Sequence, residues 1–291
     1  MNIVFGKNGQ VASCLREVLY EELHKWRFIG SDECNFENPK IVASFLENLG
    51  FIPEIIINAS AFTAVDLAES QKEKAMNINA NSVGEIAKFC EKNNTILVHY
   101  STDYIFDGSG QTPFKVDDIA NPINHYGATK LECERLILES KCKAYILRIS
   151  WVYSSHGKNF VKTMLKLMQE KEEISVVCDQ IGSPTSAFEV AKVTDALLKN
   201  QLQLEFPFGI YHFTDGGFCS WFEFACEIEK QARELGCNLA VKKINPIKTD
   251  QFLTLAKRPL NSRLETTQLS EFIKPWQENL RRTIKNILLD F

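Results

Sequence analysis

The sequence predicts an α/β protein, a doubly wound parallel sheet with a smaller C-terminal lobe. Three observations carry that prediction. Residues 54–58 and 95–100 are β-branched and apolar runs without alternation, as strands buried on both faces require. Such runs alternate with helical patterns of ten residues or more, the signature of βαβ units. The first strand runs straight into a glycine-rich turn that opens a helix.

Taken in order, residues 2–5 form the first strand. Val11, Leu15, Val18, Leu19 and Leu23 then mark one face of a helix. Residues 27–31 read as a second strand, 41–49 as a second helix and 54–58 as a third strand. A long helix is expected over residues 68–92, then strands at 95–100 and 144–149. Beyond residue 151 helices at 159–170, 186–200 and 220–236 are separated by short strands at 175–178 and 209–213, and an amphipathic helix closes the chain near 280–288. Residues 1–150 are thus expected to form the dinucleotide-binding unit and 151–291 mainly the substrate lobe, with strands near 174–182 and 208–214 joining the first sheet.

Composition narrows the function. The chain has 291 residues, 33 Lys and Arg against 37 Asp and Glu, and a formal charge of −4. A mildly acidic chain without a basic cluster argues against a nucleic-acid partner. No apolar run approaches the roughly 18 residues that span a bilayer, and the N-terminus lacks a basic signal region, so no membrane role is expected. Nine scattered cysteines make no C-x-x-C pair and read as reduced thiols of a cytoplasmic protein.

The glycine turn, Gly6-Lys7-Asn8-Gly9-Gln10-Val11-Ala12, offers backbone N–H groups and a helix N-terminus to a pyrophosphate. Its G-x-x-G-x-x-A spacing is weak alone but sits at the start of a βαβ series, which makes the expected sheet Rossmann-type. Asp32, after the second strand, is the candidate for the adenosine ribose, or a solvated loop acid. Lys7 suits a 2′-phosphate, or is a surface lysine; NADPH and NADH both stay open.

Tyr126 and Lys130 stand at i and i+4, adjacent on one helix face. A phenol with an ordinary pKa of about 10 is a slow acid near neutrality, and an ammonium within about 4–6 Å lowers it. Ser101-Thr102-Asp103-Tyr104 ends the strand that begins at residue 95, where ligands of a parallel sheet bind. Thr102 is placed there to bond the same carbonyl oxygen that Tyr126 would protonate.

With these residues in view, the chain resembles the extended short-chain dehydrogenase/reductase family, and most closely its members that make dTDP-L-rhamnose. The likeness runs through Asn58-Ala59-Ser60-Ala61-Phe62-Thr63, His99-Tyr100-Ser101-Thr102-Asp103-Tyr104, Tyr126-Gly127-Ala128-Thr129-Lys130 and Arg258-Pro259-Leu260-Asn261, and spans essentially the whole chain. It implies NAD(P)H-dependent reduction of the C4 keto group of dTDP-4-dehydro-L-rhamnose, a nucleotide-sugar whose product enters cell-surface polysaccharide. It implies a catalytic trio of Thr102, Tyr126 and Lys130. Cofactor contacts are implied for Gly9, Gln10, Val11, Ala61, Phe62, Thr63, Tyr100, Tyr126 and Lys130, beside Gly6. Substrate contacts are implied for Thr102, Asp103 and Trp151, with Arg258 and Asn261 at the nucleotide end; Trp151 as core and Arg258 as a surface charge are the plainer readings. The family's acid-aromatic pair near the adenine appears as Asn35-Phe36. Cys14 stands where some relatives place a magnesium-ligating glutamate, and the chain ends Asp290-Phe291, so Mg²⁺ is not supported and a metal-free homodimer stays open. The alternatives are a reductase or epimerase of another nucleotide-sugar, and a non-catalytic regulatory subunit like the methionine adenosyltransferase β-subunit.

Overall fold

The computed structural model describes residues 1–199 and 206–289; Asn200 of the helix expected over 186–200 and the terminal Asp290 and Phe291 lie outside them. Six strands form one sheet: β1 (Asn2–Phe5), β2 (Trp26–Ile29), β3 (Ile55–Asn58), β4 (Ile96–Thr102), β5 (Ala144–Ile149) and β10 (Gly209–His212). Every pairing in it is parallel, in the order β2-β1-β3-β4-β5-β10. The order reverses between β1 and β3, and a crevice opens there at the strands' carboxyl ends.

The strand sequences explain the two faces. On one side Val4, Ile57 and Val98 pack on Leu15 of α1 (Gln10–Val18), on Leu19 just after it, and on Val190 and Leu197 of α8 (Ala187–Lys199). On the other side Ile3, Phe5, Ile56 and Leu97 pack on α2 (Pro39–Glu47), α5 (Ser82–Asn93) and α6 (His125–Ser140). Asn38 caps α2 through Lys40 N–H, with Pro39 at the first helical position, and Asn124 caps α6 through Gly127 N–H.

The helix expected over 68–92 is broken into α3 (Val65–Ser70), α4 (Lys72–Met76), a π-helical stretch (Asn77–Asn81) and α5. Widening at 77–81 turns Asn79 inward, where it is fully buried.

β6 (Val152–Tyr153) pairs with β9 (Thr185–Ser186), and β8 (Ile181–Gly182) pairs with β11 (Cys219–Ser220). The remaining helices are α7 (Phe160–Glu170), α9 (Trp221–Glu234) and α10 (Trp276–Leu289). The strand expected near 208–214 joins the main sheet as β10. The one near 174–182 does not: β7 (Glu173–Val177) pairs in parallel with β12 (Lys243–Ile247), a strand that Pro246 hides in the sequence. β7 buries Ile174, Val176 and Val177 while Glu173 and Ser175 stay exposed, so it packs one face on α7 and α9 and is not fit for a sheet covered twice. No helix among the described residues is long and apolar enough to cross a membrane. All nine cysteines are free thiols.

Candidate active site

A cavity of about 630 Å³ lies at the carboxyl ends of β1, β3, β4 and β5 and runs to the second lobe. A second groove, of about 300 Å³, continues from it past the first turn and shares Gly9, Ala59, Ser60 and Ala61 with it.

The glycine turn forms the junction. Gly6 has φ +87°, and a Cβ there would lie 2.6 Å from the Ala59 carbonyl oxygen, so only glycine lets the loops after β1 and β3 meet. Gly9 N–H bonds Gly6 O at 2.8 Å and starts α1 without a side-chain cap, leaving the first helical N–H groups for an anion. This cradle fits a dinucleotide pyrophosphate. Val11 lines the large cavity; Asn35, Phe36 and Phe62 line the groove, where the adenosine end would lie; Ala61 lines both. Gln10 also lines the large cavity, and its amide joins the two lobes by accepting from Ser154 Oγ and Asn159 Nδ2 at 3.0 and 2.9 Å.

Asp32 stands apart from that groove. Its carboxylate pairs with Lys7 Nζ at 2.8 Å and is held below the usual range, by the Lys7 hydrogen bond above all. Lys7 lines the groove but is shared between Asp32 and Glu33.

The expected catalytic trio converges on the large cavity: Thr102, Tyr126 and Lys130 all line it, with Asp103 and Thr63. Thr102 Oγ donates to Asp103 Oδ1 at 3.0 Å and accepts from Tyr104 N–H. Asp103 Oδ2 is buried with no hydrogen-bond partner among the described residues, and burial pushes this carboxyl up to about 6. Burial likewise raises the Tyr126 phenol, the Asp103 carboxylate adds to the rise, and a Thr102 hydrogen bond works the other way. The expected lowering of Tyr126 by Lys130 is not what this arrangement provides. Lys130 Nζ is buried and turned to His99 Nε2 at 2.8 Å and to the Tyr100 carbonyl at 2.6 Å, and burial lowers its pKa. The Tyr100 phenol is directed to Thr194 Oγ of α8, at 2.8 Å, so Tyr100 meets the cavity with its backbone and ring rather than its hydroxyl.

Trp151 lines the far wall with φ +46°, a strained value for an indole-bearing residue. Its ring stacks on Trp221 with centroids 3.5 Å apart, and a Cβ on Gly182 would press within 2.5 Å of it. Arg258 and Asn261 do not reach the wall. Arg258 pairs with Asp66 at 2.5 Å. Buried Asn261 spends its amide on the carbonyls of Ser109 and Thr112 and on Arg263 Nε. The exposed cation that does line the cavity is Lys158.

Four residues of the site were given no role by the sequence. Asn79 holds the Phe62 backbone from both sides, accepting from its N–H at 2.7 Å, and donates to Thr129 of α6 at 2.9 Å. Asn58 and His99 stand behind Lys130, and Trp221 backs Trp151. Asn58 and His99 fall within the segments of the resemblance but no role follows from it, and no motif includes Asn79 or Trp221, because each acts through a contact between distant segments.

The donor set around Cys14 does not fit magnesium. Its sulfur lies within 4.8 Å of ligand atoms of Glu17 and His156, but burial pushes the thiol up to about 12, and Mg²⁺ takes oxygen ligands.

Comparison with known proteins agrees with this geometry. A family model described as the RmlD substrate binding domain matches residues 1–289. The dTDP-4-dehydrorhamnose reductase of Escherichia coli K12 is 39% identical over 295 residues, covering 99% of this chain and 98% of that one. Among solved structures, a dTDP-4-dehydrorhamnose reductase of Clostridium acetobutylicum superposes with TM-score 0.89 at 33% identity over the whole of both chains. That of Bacillus anthracis, solved in complex with NADP, gives TM-score 0.88 at 34% identity over 98% of each chain. The chain belongs to the RmlD family, that of the dTDP-4-dehydrorhamnose reductases.

Proposed function

We propose that this protein is an NAD(P)H-dependent oxidoreductase that reduces the C4 keto group of dTDP-4-dehydro-L-rhamnose to give dTDP-L-rhamnose. The observation that carries the proposal is the meeting of Thr102, Tyr126 and Lys130 in one cavity with the glycine turn at one end and the Trp151–Trp221 pair at the other. Residues 1–150 would hold the cofactor, with β10 joining their sheet and α8 packed on one face of it, and residues 151–291 would mainly hold the nucleotide-sugar.

The cradle of Gly6, Gly9 and the start of α1 would take the pyrophosphate, and Lys130 the nicotinamide ribose. Bound there, the dinucleotide supplies hydride to the sugar's C4. Tyr126, kept protonated by burial, donates its phenolic proton to the C4 oxygen as negative charge develops there. Thr102 orients that oxygen from the end of β4. An indole face of Trp151 covers the apolar side of the sugar, and Lys158 meets the diphosphate, the role expected of Arg258. Nine free thiols fit a reducing, cytoplasmic setting.

Following NADPH absorbance with dTDP-4-dehydro-L-rhamnose as acceptor tests the proposal. Wild-type protein should oxidise NADPH only when the ketosugar is present. Tyr126→Phe should lower kcat by about 10²–10⁴-fold and still bind NADPH; full turnover by that variant would remove Tyr126 from the proposed role.

A further inference from the structure

Lys130 faces His99, and the hydrogen atoms between them are determined by what lies behind. Ser60 N–H donates to Asn58 Oδ1 at 3.1 Å, which orients the Asn58 amide with its NH₂ toward His99. Asn58 Nδ2 lies 3.0 Å from His99 Nδ1 and therefore donates to it. A ring nitrogen that accepts carries no proton. The ring is buried beside Lys130, and both conditions hold it neutral, so its single proton is on Nε2. Nε2 lies 2.8 Å from Lys130 Nζ. An ammonium at that distance would set two donors against each other; an amine has the lone pair that accepts.

Among the other groups around Lys130, Cys133 and Glu134 favour its charged form, and burial, the larger effect, opposes it. From β4 it meets only the Tyr100 carbonyl besides His99. On its own helix the Cys133 thiol is pushed up to about 12 by burial and is neutral. Glu134, next along α6, is engaged by Arg148 at 2.8 Å and by Ser101. Tyr126, one turn before, is held in its protonated form.

We propose that His99 is a positioning residue which, locked by Asn58 as its Nε2–H tautomer, holds Lys130 as a neutral amine in the cofactor-free enzyme, and that Lys130 takes a proton from solvent when the dinucleotide binds. The proposal rests on the assignment of Lys130 to the cofactor. The proton balance is simple: the Nζ lone pair takes one solvent proton and no other bond changes. His99 Nε2–H then has a second acceptor already within reach, Cys133 Sγ at 3.2 Å. Tyr126 gains a neighbouring cation only in the loaded site, so the donor phenol is not ionised before a ketone is there to receive its proton.

Two measurements decide it. In ¹⁵N-labelled free enzyme at pH 7, the His99 ring should show a protonated Nε2 and a bare Nδ1, and Lys130 Nζ should resonate as an amine; a protonated Nδ1 or a Lys130 ammonium overturns the proposal. Calorimetry of NADP⁺ binding in buffers of different ionisation enthalpy should then report uptake of about one proton per site. In His99→Gln, whose amide oxygen accepts from an ammonium, Lys130 is already charged and the uptake should vanish while binding persists. Wild-type binding without uptake overturns the proposal. Failure of NADP⁺ to bind would instead remove the cofactor assignment, and the free-enzyme spectrum, which needs neither cofactor nor variant, still decides the state of Lys130.

Discussion

Gly6 and Asp103 are the residues at which the site departs most from ordinary protein chemistry. Gly6→Ala asks a Cβ to sit at positive φ and within 2.6 Å of a carbonyl; the backbone strain alone costs about 1–3 kcal/mol. The expected result is a lower melting temperature together with weaker NADP⁺ binding, measured by thermal denaturation and calorimetry. Asp103 makes a prediction with pH. Its carboxyl is raised from 3.8 to about 6, by burial first, so the folded state binds that proton more tightly than the unfolded chain. Ionising it therefore costs stability as pH rises from 3.8 through about 6, and the cost persists above. Asp103→Asn should melt with the wild type below pH 3.8 and above it, in temperature, once the pH exceeds about 6; equal melting at both ends would contradict the assigned burial. At this scale much of the site was legible in the sequence. Thr102, Tyr126 and Lys130 announce themselves because a strand end and an i, i+4 pair bear meaning over a few residues. The partner that decides the charge of Lys130 does not, because His99 reaches it across the gap between β4 and α6.

Among the elements, the broken helix of residues 65–93 is the most instructive. Its apolar pattern is helical throughout, which is why the sequence suggests one continuous helix. The π-helical turn at Asn77–Asn81 is imposed by tertiary bonding: it turns Asn79 inward to hold the Phe62 backbone and Thr129. Asn79→Ala would leave the Phe62 N–H without that acceptor, a loss of about 1–3 kcal/mol. It should weaken NADP⁺ binding more than it lowers kcat at saturation, since the loop that it fixes carries Ala61–Thr63 and not Tyr126. A variant with unaltered affinity would mean that the loop is held by other contacts. The strand at 173–177 teaches the converse. Its alternation of buried and exposed residues already differs from the doubly buried runs of the main sheet, but its partner, β12, contains a proline and has no strand signature of its own.

Over the whole molecule, the two halves of the chain meet at the large cavity, with Gln10 bonded across to Ser154 and Asn159, and in the proposed reading one half holds the cofactor and the other mainly the sugar. A ligand that occupies the native cavity and not the unfolded chain stabilises by mass action, about 2.7 kcal/mol at a concentration of 100 times Kd. NADP⁺ should accordingly raise the melting temperature, and dTDP added with it should raise it further if the second lobe holds the nucleotide. In the proposed reading the net charge of −4 suits such ligands because local devices, the glycine cradle and Lys158, would meet their phosphates. The overall architecture was readable from the order of strands and helices; which basic residue faces the cavity was not, since Asp66, far from Arg258 in sequence, claims Arg258 in the fold.

The central claim, hydride delivery to C4 with proton donation by Tyr126, is tested most directly by isotope transfer. The enzyme is given dTDP-4-dehydro-L-rhamnose and NADPH deuterated at the transferable nicotinamide C4 position, and the product is read by NMR. Deuterium at C4 of dTDP-L-rhamnose, with one NADPH consumed for each sugar reduced and the reaction lost in Tyr126→Phe, is the predicted result. Sugar product with no deuterium at C4, or conversion of the sugar without net NADPH consumption, would contradict it.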